Sequence, residues 1–440
     1  MTEPRRLDRP RRLKLLIGGS VLAGSLLLGA CSGGDDDADA TASMTATMTA
    51  TATETSGGSM TPMPSETAMG DMTLSSDTGA AELRAGLTHL LQEHVYLAAN
   101  ATHAALTGGD FDGAAAALDE NTVALSEAIG SVYGDDAGGA FLELWRTHIG
   151  FFVDYTQARA TGDDAAAEEA AANLDGYRED FGAFISSANP NLSKDAVAEE
   201  LVPHVESLLA VIDAQAAEDP AQWTLLREAA GHMPHAALTL AGGIAAQMPD
   251  QFDGDVMSGG SELRSGLTAL LDEHVYLATL ATGEALRGGD FDGAAAALDE
   301  NTVALSEAIG SVYGDDAAGA FLELWRTHIG FFVEYTQARA AGDDAAAQAA
   351  AEELDGYRAD FGAFLASANE NFDKDTVAED LVPHVQSVFA VIDAQAAGEP
   401  DQWTLMREAA GHMPHTASML ASGIVAQSPD QFAAAMEHGH

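Results

Sequence analysis

The stretch Gly108–Ala137, GGDFDGAAAALDENTVALSEAIGSVYGDDA, occurs a second time without a change as Gly288–Ala317. Around it, residues 82–252 align with residues 262–432 at a constant offset of 180 and without a gap. Each copy is long enough to bury a hydrophobic core of its own. The sequence therefore predicts two copies of one domain in tandem.

Within this stretch and on both sides of it, apolar residues recur with the period of an α-helix. The pattern predicts six helices in the first copy, roughly at 81–106, 112–133, 137–160, 164–187, 194–216 and 220–247. Clusters of glycine, aspartate and asparagine separate them, and each cluster offers a side chain that can cap the next helix. The expected fold class is all-α: two tandem copies of a six-helix bundle-like domain.

Residues 1–30 are predicted to be a signal peptide, because basic residues precede an apolar run that is too short to span a membrane. The run ends in Leu28-Gly29-Ala30-Cys31, which resembles the bacterial lipobox. The resemblance implies that Cys31 is diacylated and anchors the protein to the extracytoplasmic face of the cell membrane. A chance cysteine after a signal peptide is the alternative. Arg11-Arg12 leaves export by the general (Sec) or the twin-arginine (Tat) route open.

Residues 31–79 are predicted to form the lipidated cysteine and a disordered tether rich in threonine, serine and methionine. A methionine thioether suits Cu(I), whereas simple compositional drift is the alternative reading of these methionines. The expected domain boundaries are 80–252 for repeat 1, 253–260 for a linker, 261–434 for repeat 2 and 435–440 for a tail. Six methionines stand in the tether: Met44, Met48, Met60, Met63, Met69 and Met72.

The charge narrows the choice of partners. The chain has 19 basic and 69 acidic residues, and without residues 1–30 the numbers fall to 13 and 67, a net charge of −54. Nucleic acid and a bare anionic membrane surface need basic patches and are not expected partners. A solvated acidic shell and an attraction for cations both remain open. Cys31 is the only cysteine, so no thiolate is left for a metal or for nucleophilic catalysis.

Five histidines occur at matching positions in both copies. Four of them lie where a helix would place an apolar side chain, on four different predicted helices, and an unpaired buried imidazole costs about 1–3 kcal/mol. That pattern favours one shared polar or charged centre. The histidines are His94, His148, His204, His232 and His235, which match His274, His328, His384, His412 and His415.

The sequence predicts one metal site per copy, built from these histidines. His232 and His235 lie one helical turn apart, and Glu228 lies one turn earlier, so the three could face one point. Glu408 takes the place of Glu228 in the second copy. Imidazole and carboxylate without thiolate suit copper first, and iron or zinc next.

Two other interpretations stay open for the histidines. Each could be a core residue satisfied separately by its own hydrogen bond. Alternatively, haem or another planar ligand could lie between the helices, with Trp145, Phe151 and Tyr155 as its walls. Glu93, next to His94, is predicted to lie at the surface, and Asn121 could support a metal ligand.

Three segments of each copy resemble a known family. Residues 93–98 (EHVYLA), 128–134 (AIGSVYG) and 148–155 (HIGFFVDY) are similar to a poorly characterised helical domain of secreted Gram-positive proteins. Some of those proteins are labelled copper amine oxidase because of a neighbouring domain. The resemblance implies the helical fold but not that activity, since the Asn-Tyr pair from which such oxidases form their quinone is absent.

The leading functional hypothesis is a membrane-anchored, metal-binding lipoprotein. The sequence holds no nucleophile elbow, phosphate loop or HExxH motif, so an enzyme is not the first expectation. The alternatives are a structural or small-ligand-binding module of the cell envelope and, more weakly, a redox enzyme that uses the histidine site. The sequence does not identify a partner protein.

Overall fold

The computed structural model describes residues 74–432, and every regular element in that range is an α-helix. The all-α prediction is therefore confirmed. Residues 1–73 and 433–440 lie outside the described part, and with them the predicted signal peptide, Cys31, most of the predicted tether and the predicted tail. None of the helices described is long and apolar enough to cross a membrane.

The first copy contains eight helices in this structure. They are α1 (Gly79–Thr107), α2 (Phe111–Tyr133), α3 (Asp135–Thr161), α4 (Asp164–Ala188), α5 (Lys194–Glu200), α6 (Val202–Ala216), α7 (Gln222–Gly231) and α8 (Met233–Gln247).

The second copy repeats this order with two differences, a merged helix and an additional short helix at its end. Its helices are α9 (Gly259–Arg287), α10 (Phe291–Tyr313), α11 (Asp315–Ala341), α12 (Asp344–Ala368), α13 (Lys374–Ala397), α14 (Gln402–Ala410), α15 (Met413–Gln427) and α16 (Pro429–Phe432). The helix α13 corresponds to α5 and α6 together and runs through Pro383.

The prediction of six helices per copy missed two breaks, both next to a proline. Pro203 lies in the first turn of α6 and Pro234 in the first turn of α8. Proline lacks the N–H that a helix interior needs, but the first turn leaves that N–H unpaired in any case. The last predicted helix therefore divides into α7 and α8, with His232 at the junction.

Four of the other helix starts in the first copy have a side-chain cap, whereas α3 and α7 have none, contrary to the prediction. The side chains of Thr78, Asp110, Asp163 and Ser193 accept hydrogen bonds from backbone N–H groups in the first turns of α1, α2, α4 and α5. Such caps satisfy donors that have no partner within the helix. The chain then reverses after α1 at Gly108, whose φ of +74° suits glycine.

Helices α1 and α9 lie at the centre of the described structure. Helix α1 packs against α2, α3, α6 and α8 of its own copy and against α9 of the other, and α9 has the matching neighbours. Tyr96 and Leu97 of α1 are fully buried, as are Tyr276 and Leu277 of α9. Because α1 and α9 are covered on nearly all sides, polar residues on them are enclosed as well.

Candidate metal centres and the interface between the repeats

Three histidines meet inside each copy. His94 comes from α1, His148 from α3 and His204 from α6, and their exposed fractions are 1%, 2% and 5%. One ring nitrogen of each lies within 4.8 Å of the corresponding nitrogens of the other two. The second copy has the same triad, formed by His274, His328 and His384.

The helical period brings these three side chains inward. His148 follows Phe141 and Trp145 on the buried face of α3, and Phe152 continues that face. His204 precedes Leu208 and Val211 on the buried face of α6. The sequence prediction that these positions point to the interior is confirmed for His94, His148 and His204 and for their counterparts.

Aromatic side chains surround the triad. The ring of Trp145 lies 4.6 Å from that of His148 and 5.0 Å from that of His94. Tyr177 of α4 stacks on His148 with ring centres 4.8 Å apart, and Phe152 meets His204 edge-on at 6.1 Å. The residues around the imidazoles are therefore mainly apolar, and a charge there would be poorly solvated.

Burial keeps the imidazoles neutral. Loss of hydration lowers the pKa of His94 and His148 well below the ordinary value of 6.5, and their histidine neighbours lower it further. Burial and, to a smaller extent, the charge of His232 lower the pKa of His204 to about 4. In the second copy the pKa of His274 is about 3 and that of His384 about 4. Neutral imidazoles have a free lone pair for a metal ion at pH 7.

The spacing of the ring nitrogens matches metal coordination at one edge of the triad. Nε2 of His94 lies 3.3 Å from Nε2 of His148, and the distance is the same between His274 and His328. Two nitrogens bound tetrahedrally at about 2.05 Å from a metal would be about 3.3 Å apart. The third nitrogen, up to 4.8 Å away, would need a small rotation of its ring.

The triads also carry unsatisfied polar atoms. Nδ1 of His94 and of His204 is buried without a hydrogen-bond partner, and so is Nδ1 of their counterparts His274 and His384. The reading of separately satisfied core histidines does not account for these atoms, because buried polar groups are normally paired. Each triad could hold a metal ion.

The second half of the predicted ligand set does not join the triads. The six predicted ligands on and around α7, α8, α14 and α15 are all exposed. The prediction that His232 points to the interior is therefore wrong. The reason is the break between α7 and α8, across which a helical spacing no longer applies. His235 instead lies 3.4 Å from Glu200, and His415 lies 2.9 Å from Asp380. The residues concerned are Glu228, His232, His235, Glu408, His412 and His415.

The geometry of the triad does not fit the haem interpretation. Because the Nε2 atoms of His94 and His148 are in contact, no porphyrin plane fits between them. Of the three predicted walls, Trp145 lies against the imidazoles, whereas the Tyr155 hydroxyl donates to Asp213 at 2.9 Å. Phe151 is only partly buried.

The prediction that Glu93 lies at the surface is wrong, since its exposed fraction is 1%. Asn121 donates to its carboxylate at 2.6 Å, the Tyr276 hydroxyl donates at 3.1 Å, and Arg407 forms an ion pair with it at 3.1 Å. Asn121 therefore supports this carboxylate and not a metal ligand. Two of the partners belong to the other repeat, so Glu93 is an interface residue.

The same network occurs again with the roles of the copies exchanged. Glu273 accepts from Asn301 at 2.7 Å, from the Tyr96 hydroxyl at 3.2 Å and from Arg227 at 3.0 Å. Between the two networks the rings of Tyr96 and Tyr276 stack, 4.9 Å apart and 7° from parallel. This exchange of equivalent contacts is the pattern of a two-fold symmetric dimer, here within one chain.

Two further ion pairs break that symmetry. His89 lies 2.8 Å from Asp272, and His103 lies 3.5 Å from Glu284. The residues at matching positions are Ala269, Gln92, Gly283 and Ala104, none of which is charged. In both pairs α1 supplies the histidine and α9 the carboxylate, so the sides of the interface differ chemically.

Comparison with protein-family models, with curated proteins and with solved structures found no match to this chain. The two histidine triads are thus identified by their geometry, their burial and the chemistry of imidazole.

Proposed function

We propose that the chain is an extracytoplasmic, membrane-anchored lipoprotein that binds one metal ion per repeat, with copper preferred over iron or zinc. The observation that carries the proposal is the pair of buried histidine triads. Each triad gathers three neutral imidazoles from three helices, and two of their Nε2 atoms lie 3.3 Å apart, as two ligands of one metal ion would.

The preference for copper rests on charge. Both triads consist of imidazoles alone, so nothing within them neutralises a bound cation. Desolvating an ion in surroundings such as Trp145, Phe152 and Tyr177 is expensive, and the expense grows with its charge. Cu(I) carries one charge where Zn²⁺ and Fe²⁺ carry two, and imidazole is a suitable ligand for copper.

Two features of the sequence support the rest of the proposal. The Leu28–Cys31 segment favours a lipid anchor, and the methionines after it offer soft ligands that could pass Cu(I) to the triads. The strongly negative charge of the chain would raise the local concentration of cations around it. Replacing Cys31 with serine should release the protein from the membrane fraction; a variant that stays bound would refute the anchor alone.

The test of the metal site is a stoichiometry. The full chain is loaded with Cu(I), weakly held copper is removed with a competing chelator, and the remaining metal is counted by mass spectrometry. The matched variants are His148→Leu, His328→Leu and the double variant. We expect each single variant to hold one ion fewer than the unmodified chain, and the double variant two fewer, because each triad loses a ligand.

The control variants are His232→Leu and His412→Leu, which remove exposed histidines outside the triads. They should leave the copper content unchanged. Copper bound by the tether or the tail is common to all variants and cancels in the differences. Equal copper in the unmodified chain and in the double variant would refute the proposal, as would loss of copper in the controls alone.

A further inference from the structure

The second repeat encloses a cavity that ends at two histidines of its triad. Its volume is about 360 Å³, and its lining comes from α9, α10, α11 and α13. His274 and His384 form part of that lining. Cavities of this size are large enough for a small organic molecule. The cavity therefore joins a potential metal site to a space that a ligand could fill.

The walls of the cavity are mainly apolar. Ala278, Ala281, Leu298, Ile329 and Phe332 are among the residues that line it. Apolar cavities take up apolar molecules when these are offered. A ligand with a charged or strongly polar body would lose its hydration here without replacement.

Four polar side chains of the lining already have hydrogen-bond partners. The Thr282 hydroxyl donates to Gln395 at 2.8 Å, and the Thr336 hydroxyl donates to the Phe332 carbonyl at 2.8 Å. At the rim, Arg326 donates to both oxygens of Asp299 at 2.7 and 2.8 Å. The imidazoles and the exposed amide of Gln337 are thus the polar groups of the lining with capacity left for a ligand.

One wall position differs between the repeats. Of the seventeen lining residues of the cavity, sixteen are identical at the matching positions of the first repeat. The exception is Val388, which replaces the fully buried Leu208. Valine is one methylene smaller than leucine, so this substitution adds space on the wall beside His384.

We propose that this cavity of the second repeat binds a small, neutral, predominantly apolar molecule whose inner end lies against His274 and His384. The part of the proposal that places a metal ion at that inner end rests on the proposed function. Binding in the apolar body of the cavity does not need the metal, so the two can be tested separately.

The experiment measures toluene binding to the full chain by titration calorimetry, first without metal and then after loading with copper. Val388→Leu gives the second repeat the residue that the first repeat already accommodates, so we expect it to fold. It should weaken toluene binding about tenfold, since it fills space that the ligand would occupy. Ala278→Leu fills another part of the same wall and should act in the same direction.

Leu208→Val is the matched control, because it makes the reciprocal change in the first repeat. It should not weaken toluene binding. The proposal would be overturned if the unmodified chain bound no toluene. It would also be overturned if Val388→Leu and Ala278→Leu bound toluene with the same affinity as the unmodified chain. A chain that takes up copper but binds no toluene would refute the cavity site alone. A chain that binds toluene but takes up no copper would refute the metal site alone.

Discussion

The ion pair between His89 and Asp272 should make the interface between the repeats sensitive to pH. Nδ1 of His89 lies 2.8 Å from the carboxylate, and the side chains are 15% and 0% exposed. Burial alone would lower the pKa of His89, but the charge and hydrogen bond of Asp272 raise it to about 9, helped by Glu93 and opposed by Arg407. Burial also raises the pKa of Asp272.

The size of the effect follows from the shift. A histidine whose pKa rises from 6.5 in the unfolded chain to about 9 in the folded one contributes about 3 kcal/mol. The sign follows from linkage: the contribution is complete below pH 6.5 and is lost as the pH rises through 9. The free energy of unfolding should therefore fall by up to about 3 kcal/mol across this window.

The assay is urea unfolding of the full chain at pH 6.5, 7.5 and 9. In His89→Ala the fall with pH should disappear. The loss of stability should therefore be largest at pH 6.5, about 3–5 kcal/mol because a buried carboxylate has lost its partner, and should shrink by up to about 3 kcal/mol at pH 9. The double variant His89→Ala/Asp272→Gln places at both positions the residues of the other repeat, Ala269 and Gln92. It should recover most of the stability and show no such fall. A His89→Ala protein with the same pH dependence as the unmodified chain would refute this reasoning.

Three further outcomes are expected. Because the pKa of His204 is about 4, copper retention measured by chelator competition should change little from pH 7 to 5 and fall below about pH 4; loss near pH 6.5 would contradict the buried triad. Tyr96→Phe removes a hydrogen bond to Glu273 and should lower the free energy of urea unfolding by about 1–2 kcal/mol, since it leaves a buried acceptor short of a donor. On α4, Gly182→Ala should destabilise the protein because its Cβ would lie 2.3 Å from a backbone oxygen, whereas Gly176→Ala has open space and should stabilise it by up to about 1 kcal/mol in thermal unfolding.

The helical pattern predicted most of the fold because most helices bury one face and several start at a residue whose side chain caps the first turn. Its failures lie at prolines. Pro203 and Pro234 begin new helices, whereas α13 runs through Pro383. We have no physical account of why equivalent prolines end a helix in one copy and not in the other.

The triads were predictable in part for the same reason. His94, His148 and His204 interrupt apolar stripes within continuous helices, so their direction could be inferred from spacing. His232 lies between two helices, and its direction could not be inferred in that way.

The interface between the two repeats could not be predicted from the helical period of apolar residues within one copy. Glu93 lies off the apolar stripe of α1, which for a helix on the surface of a single domain means exposure. In the structure the other repeat covers that face, and Tyr276 and Arg407 satisfy the carboxylate. A polar surface that is buried only by a second domain has the same sequence pattern as a solvated one.

The joining of the two halves in one chain has a consequence for how they can change. Identical subunits encoded by one gene must alter together, so that a substitution good for one side of their contact is imposed on the other. Here the halves are covalently linked, and their association is independent of protein concentration. Each half can therefore carry residues that the other lacks. Examples are His89, which pairs with Asp272, and Val388, which lies beside His384. The linkage lets one half change while the other keeps its own residue.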